Sequence, residues 1–288
     1  TTRRRRDNPL DNFAGKIAAV TGAGSGIGRS LAIELAKKGC NLALADINGD
    51  SLAETAHLAI AAGAECSTCV LDVSDREAVE RFAADVVGKF GGIHLVINNA
   101  GVTAIDTVEN MSYGDFEWVM NVDFWGVVYG TKAFLPYMQE AGEGHIVNIS
   151  SLFGILAAPM QAAYNAAKFA VRGFTEALRI ELSGSPVNVS CVHPGGIKTS
   201  IVKEARFQAD SVAISKDELN AWFDKEARTS ADDAAKAIIR GVEKNKVRIL
   251  IGMDAKIADK IARIFPSSYE ERIGLAREVR ERMVRESS

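Results

Sequence analysis

The chain has 288 residues, of which 47% are hydrophobic and 25% charged, a composition typical of a globular protein with a sizeable core. A formal net charge of −3 gives no bulk positive field for nucleic acid, and we interpret the arginine run at 3–6 as part of a solvated N-terminal arm, 1–14. Neither a secretory hydrophobic region near the start nor an apolar run of the ~18 residues that span a membrane is found. We therefore expect a cytoplasmic protein.

Four cysteines lie in or beside predicted strands, as reduced and packed thiols do. Cys66 and Cys69 form a lone C-x-x-C pair, for which a metal or redox role is the less favoured alternative. The sequence has no other spacing typical of metal ligands, so we expect no metal site.

Short apolar runs alternate with helical segments of ~12 residues, a pattern that predicts a parallel sheet joined by right-handed crossovers. We therefore predict one α/β domain of the doubly wound, Rossmann type over 15–252, with helices opened by capping residues at Ser74 and Ser230. The predicted strands cover 16–21, 41–45, 68–71, 94–98, 145–150, 187–192 and 247–251.

A glycine-rich turn separates the first predicted strand from the first helix and reads Gly22-Ala-Gly-Ser25-Gly26-Ile27-Gly28. In this setting small residues let the backbone approach a pyrophosphate, and the helix N-terminus supplies oriented N–H groups. Taken alone, the motif is equally compatible with an ordinary glycine turn.

Asp46 ends the second predicted strand, where a dinucleotide fold hydrogen-bonds the adenosine ribose hydroxyls. Its carboxylate would repel a 2′-phosphate, and the glycine turn carries Ser25 instead of a basic residue, so we favour NAD over NADP. The alternative is that Asp46 only caps a turn with Asn48 and Gly49.

Ser151 lies at the end of a predicted strand, and Tyr164 and Lys168 follow four residues apart on one predicted helix. A phenol is a weak base at neutral pH, but a neighbouring ammonium favours its ionised form. Ser151 can then bind the oxygen that gains or loses the proton. The stretch predicts a proton-transfer site that needs a redox partner.

Asn121 stands in an apolar stretch of a long helix predicted over about 113–140. Its amide holds a water or a kinked turn beside Lys168, or else satisfies a local carbonyl.

The irregular segment 200–229 predicts a substrate lid or a small helical insert. In the tail, 253–288, an apolar stripe could dock on another subunit, on the chain's own body or on a membrane surface.

These segments follow the carboxyl ends of predicted parallel strands, the edge at which ligands bind in open α/β sheets. Assembled, they closely resemble the short-chain dehydrogenase/reductase family over Gly15 to about Gly252. The resemblance rests on Thr21-Gly22-x-x-x-Gly26-x-Gly28, Asn98-Asn99-Ala100-Gly101, Asn121, Ser151, Tyr164-x-x-x-Lys168 and Pro194-Gly195. The tail is longer than the compact family pattern, and His94 stands where relatives often have Asp.

The resemblance implies that Tyr164 is the acid/base, that Lys168 lowers its pKa and binds the nicotinamide ribose, and that Ser151 orients the substrate oxygen. It gives Asn121 a proton-relay water and suggests a homodimer or homotetramer. The cofactor-binding residues that it implies, together with those of the glycine turn, are Gly22, Ser25, Gly26, Ile27, Gly28, Asp46, Asp72, Val73, Asn99, Gly101, Tyr164, Lys168, Pro194, Gly195, Ile197 and Thr199.

The predicted function is hydride transfer between NAD(H) and a secondary alcohol or ketone, a small-molecule substrate with a hydrophobic body. The apolar side chains that could line its pocket are Val102, Phe153, Ile155, Leu156, Met160, Phe207 and Trp222. The alternatives are an NADP-dependent carbonyl reductase, an epimerase or dehydratase that uses bound NAD internally, and a non-catalytic nucleotide-binding scaffold.

Overall fold

The structure is a computed structural model that describes residue 10, residues 12–207 and residues 215–273, without the side chains of Leu219, Trp222 and Glu226. Predictions for most of the N-terminal arm, the centre of the lid and the end of the tail lie outside these residues.

Helices and strands alternate along the described chain as predicted. In chain order they are β1 (Ile17–Thr21), α1 (Gly26–Lys37), β2 (Asn41–Asp46), α2 (Gly49–Ala61), β3 (Cys66–Val70), α3 (Arg76–Phe90), β4 (Leu95–Asn98), β5 (Ala104–Ile105), α4 (Tyr113–Met120), α5 (Gly126–Ala141), β6 (Gly144–Ile149), α6 (Ala162–Glu181), β7 (Val187–Pro194), β8 (Arg206–Phe207), α7 (Lys216–Glu226), α8 (Ala231–Glu243), β9 (Arg248–Ile251), α9 (Met253–Ile264) and α10 (Tyr269–Ile273).

Seven of the strands form one parallel sheet in the order β3-β2-β1-β4-β6-β7-β9, which confirms the predicted Rossmann-type fold. The direction of strand progression reverses between β1 and β4. That reversal leaves a crevice outside the carboxyl ends of these two strands, the usual ligand position in such sheets.

Central strands are buried on both faces, and β1 and β6 are buried at every position. This burial explains why these strands read as continuous apolar runs instead of alternating patterns. One face of the sheet packs on a core that includes Leu31 and Ile238, and the other on a core that includes Phe82 and Phe134.

Two helix starts were predicted from capping residues. Ser230 caps α8 and accepts a hydrogen bond from the Asp233 N–H, as predicted. The cap of α3 is Asp75, one residue after the prediction, because its carboxylate accepts from the Ala78 N–H. The Ser74 hydroxyl instead donates to Asp72 at 2.7 Å.

The long helix predicted around Asn121 is broken in the structure. A π-helical turn over Asn121–Trp125 separates α4 from α5, and the Gly126 N–H donates to the Asn121 carbonyl five residues earlier. Such turns occur often at functional sites, because the wider turn changes which side chains face inward. A second difference is the unpredicted two-stranded parallel pair of β5 and β8.

No helix among the described residues is both long enough and apolar enough to span a membrane.

Candidate active site

The glycine turn packs too tightly for larger residues. A Cβ on Gly22 would lie 2.8 Å from the Ala100 Cα, and a Cβ on Gly28 would collide with the Gly22 carbonyl oxygen. Gly22 and Gly26 also have positive φ angles of 64° and 50°, which L side chains rarely adopt. These contacts explain why glycine recurs at this spacing.

The N-terminus of α1 opens from this turn without a side-chain cap. Ser25 is the N-cap residue, but its hydroxyl accepts no capping hydrogen bond. The first N–H groups of the helix therefore remain available at its positive dipole end. An uncapped helix start above a glycine turn fits a pyrophosphate group.

Asp46 lies at the end of β2, beside the glycine turn. Its Oδ2 accepts a hydrogen bond from the Gly24 N–H at 2.8 Å, and its Oδ1 accepts from the Asn48 N–H at 2.9 Å. The predicted alternative of a turn-capping residue therefore describes part of what Asp46 does. Each carboxylate oxygen keeps a lone pair that could accept from a ribose hydroxyl.

The two asparagines at the end of β4 make different contacts. The Asn99 side chain donates to the carbonyl oxygens of Thr21 and Gly22, at 2.9 and 3.1 Å, and so holds the glycine turn against β4. Asn98 is buried beneath the sheet edge and donates to the Asn148 side chain at 2.8 Å.

Other predicted cofactor-binding residues lie at neighbouring strand ends. Asp72 accepts from Ser74 within its own turn, and Val73 is buried against Gly126. The loop after β7 returns to the glycine turn, since the Thr199 methyl group lies 3.1 Å from where a Cβ on Gly26 would be. Pro194 is the last residue of β7, and the loop after it contains Gly195 and the buried Ile197.

Ser151, Tyr164 and Lys168 lie together at the sheet edge. Ser151 follows β6 and is buried, and its side chain acts to lower the pKa of the Tyr164 phenol. The Lys168 ammonium lies 5.4 Å from the centre of the Tyr164 ring, one helical turn away on α6. The structure therefore brings the three predicted side chains into one small volume.

Burial raises the pKa of the Tyr164 phenol, while the Lys168 ammonium and the Ser151 side chain act in the opposite direction, and the net direction is upward. Burial alone would lower the pKa of the Lys168 ammonium, but the Asp123 carboxylate and the Tyr164 phenol raise it, and the net direction is upward. Lys168 therefore stays charged beside the phenol.

Asn121 is placed differently from the prediction. It is the first residue of the π-helical turn, and its side chain is exposed. The side chain of that turn that reaches Lys168 is Asp123, which is fully buried and lies 3.0 Å from the Lys168 Nζ. The sequence does show that Asp123 is the one acidic residue in the apolar stretch 118–128. With a continuous α-helix predicted there, nothing favoured Asp123 over Asn121 as the residue beside Lys168.

The apolar residues predicted for the substrate pocket divide into two groups. Ile155 and Leu156 are buried, and they belong to the interior. Val102, Phe153, Met160 and Phe207 are partly exposed, and the Phe153 ring meets the Tyr164 ring edge to face at 6.3 Å. The predicted Trp222 side chain lies outside the described part of the structure.

All four cysteines are free, and burial raises the pKa of each thiol, most strongly for Cys40 and Cys191, to about 12. Thiols in this state are poor nucleophiles. Among the described residues, no group of three or more acidic, histidine or cysteine side chains could hold a metal ion.

The chain is similar to known proteins over most of its length. The short chain dehydrogenase family model matches residues 16–210. The putative oxidoreductase SadH of Mycobacterium tuberculosis is 51% identical over 266 residues, which are 91% of this chain and 95% of SadH. The 11-beta-hydroxysteroid dehydrogenase 1A of Arabidopsis thaliana is 36% identical over 235 residues, 81% of this chain and 67% of that protein.

Among solved structures, a short chain dehydrogenase/reductase from Burkholderia phymatum in complex with NAD is similar, with a TM-score of 0.80 and 33% sequence identity. The match covers 91% of this chain and 96% of that protein.

Proposed function

Since the chain belongs to the short-chain dehydrogenase/reductase family and is therefore a nicotinamide-dependent oxidoreductase, we propose that it interconverts a secondary alcohol and a ketone with NAD(H). The observation that carries the proposal is the meeting of Ser151, Tyr164 and Lys168 at the sheet edge to which the glycine turn belongs.

In this proposal each side chain handles a different part of the reaction. Bound nicotinamide supplies hydride exchange with the carbinol carbon. Tyr164 takes the hydroxyl proton during oxidation and returns it during reduction, and Ser151 donates a hydrogen bond to the reacting oxygen. Lys168 favours the phenolate through its charge.

The preference for NAD rests on the surroundings of Asp46. A 2′-phosphate would meet its carboxylate at the end of β2. The neighbouring Arg29 guanidinium already donates to the Gly24 carbonyl at 2.6 Å and to Glu54 at 2.7 Å, so its charge is largely committed. Little positive charge then remains to compensate a phosphate there.

A substrate with a hydrophobic body is supported by the apolar surface beside Tyr164. Met160, Phe207, Ile201 and Phe223 are partly buried and pack against a small apolar cluster of Ile105, Val202 and Ala205. The Phe153 ring meets the Tyr164 ring edge to face. A relative named for a hydroxysteroid substrate is in keeping with this surface. We propose that the loop around 200–207 closes over the substrate.

We also propose a homodimer or homotetramer built on α5 and α6. Trp125 and Phe169 are exposed, by 44% and 40%, and Trp125 stacks on Tyr129 with ring centres 5.8 Å apart. Apolar side chains of this size are usually covered when they cluster on a surface.

The decisive experiment replaces Tyr164 by Phe. We expect Tyr164→Phe to bind NAD as the wild type does and to lose turnover of secondary alcohols in a screen that includes steroids and small diols, read by absorbance of the reduced nicotinamide. Tyr113→Phe removes a hydroxyl from a residue that is 90% exposed and is the matched control. Turnover at the wild-type rate by Tyr164→Phe would refute the proposed role.

The choice of cofactor has its own test. We expect the wild type to bind NAD more tightly than NADP, and Asp46→Ala to reduce or reverse that ratio because the repelling carboxylate is gone. The measurement is the pair of dissociation constants for each protein. Tighter NADP binding by the wild type would favour the NADP-dependent carbonyl reductase instead.

A further inference from the structure

Asp123 joins three parts of the active site. Its Oδ1 accepts a hydrogen bond from the Val102 N–H at 2.7 Å, just after the Asn-Asn-Ala-Gly turn. Its Oδ2 lies 3.0 Å from the Lys168 Nζ on α6. Asp123 itself lies on the π-helical turn, so one carboxylate links this turn, the cofactor-side turn and the site helix.

The surrounding backbone leaves room for this contact. A Cβ on Gly101 would lie 3.3 Å from both the Asp123 Oδ2 and the Lys168 Nζ, so glycine at 101 lets the turn approach the ion pair. Gly126 allows the π-helical turn to lie against Val73, because a Cβ there would be 2.8 Å from the Val73 side chain. Close packing at Gly101 and at Gly126 therefore keeps Asp123 beside Lys168.

The charge of Asp123 acts on the phenol as well as on the lysine. The carboxylate raises the pKa of the Tyr164 phenol, whereas Lys168 lowers it, so the two charges oppose each other at the proton-transfer group. Burial raises the pKa of the Asp123 carboxyl, while the Lys168 ammonium and the Val102 N–H favour its charged form. Asp123 is fully buried and Lys168 is only 3% exposed, so solvent screens their interaction poorly.

The other titratable groups that the structure describes around this volume are neutral or distant. On β7, burial raises the pKa of the Cys191 thiol to about 12 and lowers that of the His193 imidazole to about 4, so both are uncharged at neutral pH. Arg172 and Glu176 lie one and two turns further along α6 and pair with each other at 3.0 Å. Within the described part of the chain, Asp123 and Lys168 are therefore the charges that act on Tyr164.

We infer that Asp123 is a positioning residue of this enzyme, whose carboxylate holds the Lys168 ammonium against the Asn-Asn-Ala-Gly turn and offsets part of its charge at Tyr164. The inference rests on the proposed function, and it gives Asp123 the place beside Lys168 that the sequence suggested for Asn121.

The test is the pH profile of kcat/KM for alcohol oxidation by Asp123→Asn, with the substrate found in the screen. Asparagine keeps the shape and can still accept from Val102, but it removes the charge. We expect the phenol to ionise more readily, so the midpoint of the acid limb moves to lower pH by about one unit. The alkaline limb of ketone reduction, which needs the neutral phenol, moves in the same direction.

The matched control is Asp259→Asn, which removes another buried carboxylate from ion pairs with Arg248 and Arg263, at 2.6 and 3.1 Å. Its profile should coincide with that of the wild type. Asp123→Ser, a smaller neutral residue that can also accept from Val102, is the second variant if Asp123→Asn does not fold.

A profile of Asp123→Asn that coincides with the wild type, or moves to higher pH, overturns the inference. So does a shift that appears in Asn121→Ala but not in Asp123→Asn. Tyr164→Phe is measured in parallel to separate the two proposals. If it is inactive while the profile is unchanged, only the role of Asp123 is wrong, whereas if it stays active both proposals fail.

Discussion

Two sides of the candidate active site are held in place by different kinds of contact. The cofactor side, defined as 21–28 and 98–101, is fixed by backbone atoms, since the Asn99 amide binds two carbonyl oxygens and the glycines touch neighbouring backbone. The substrate side, defined as 152–161 and 200–207, depends on long side chains. Arg206 stacks on Trp118, with 3.7 Å between the guanidinium carbon and the ring centre.

A side chain from far along the sequence also stabilises the substrate side. The Tyr269 hydroxyl on α10 accepts a hydrogen bond from the Ala157 N–H at 3.1 Å. A substitution that replaces one side-chain contact by another leaves the backbone where it is. A substitution of a closely packed glycine adds a Cβ that forces the backbone to move. We therefore expect the cofactor side to tolerate few substitutions, whereas the substrate side can change its side chains to bind a different ligand.

The largest effect is expected from Gly28→Ala on the cofactor side. The added methyl group would collide with the Gly22 carbonyl oxygen, and overpacking of this kind costs about 1–3 kcal/mol. We expect the NAD dissociation constant to rise by at least about tenfold, as measured by isothermal titration calorimetry. We also expect the free energy of unfolding to fall.

Gly88→Ala is the matched control, because a Cβ at this position of α3 meets no heavy atom within 4 Å. Alanine favours a helix interior over glycine, so this variant should gain about 0.5–1 kcal/mol of stability and bind NAD normally. Equal NAD affinity in Gly28→Ala and Gly88→Ala would show that backbone packing does not control the cofactor side.

Strands β6 and β7, which end at the edge of the sheet where Ser151 lies, each contain a buried histidine. Burial lowers the pKa of His145 on β6 to about 3 and that of His193 on β7 to about 4. In the unfolded chain both imidazoles bind protons below about pH 6.5. Because the unfolded chain binds these protons and the folded chain does not, the free energy of unfolding is unaffected above that pH. It falls as the pH decreases towards 4, by about 1.4 kcal/mol per pH unit for each residue.

Urea unfolding of the wild type and of His145→Gln at several pH values between 7.5 and 5 checks this prediction. The Nε2–H of His145 donates to the Ser190 hydroxyl at 2.7 Å, and Nδ1 has no partner among the described residues, so a protonated ring is poorly accommodated. We expect a shallower slope for His145→Gln. His57→Gln, at an exposed position of α2, should keep the wild-type slope, and equal slopes in all three proteins would contradict the prediction.

Much of the fold and part of the candidate active site could be predicted from the sequence. The seven strands, the glycine turn and the spacing of Ser151, Tyr164 and Lys168 depend on local pattern, because burial and helical geometry act on neighbouring residues. The fold was therefore predictable, and so was the convergence of side chains at one sheet edge.

Three features were not predictable in this way. The π-helical turn is followed by Gly126, which lies close to Val73 in a tertiary contact that the local pattern does not reveal, and the turn brings Asp123 instead of Asn121 to Lys168. The pairing of β5 with β8 joins residues about 100 positions apart, without a hydrophobic pattern of its own. The net rise in the phenol pKa depends on burial in the folded chain, whereas the sequence indicated only the lysine's opposing effect.

The smallest predicted effect belongs to the substrate side and is expected from Arg206→Ala. This change removes the stacking on Trp118 and a 2.9 Å ion pair with Asp115, which together contribute about 1 kcal/mol at a half-exposed site. The β5–β8 pair should then hold the lid loop less firmly. We expect KM for the substrate to rise by about fivefold, with kcat within twofold of the wild type, because the lost contact contributes equally to ground-state and transition-state binding.

Two further variants separate stacking from charge. Arg206→Lys keeps the charge near Asp115 but loses the planar contact with Trp118, so its KM should fall between those of the wild type and Arg206→Ala. Arg76→Ala removes an exposed arginine that pairs with Glu80 on α3, away from the lid, and should leave KM unchanged. If Arg206→Ala lowered kcat as strongly as kcat/KM, the lid would contribute to the transition state itself. The substrate side would then be as constrained as the cofactor side.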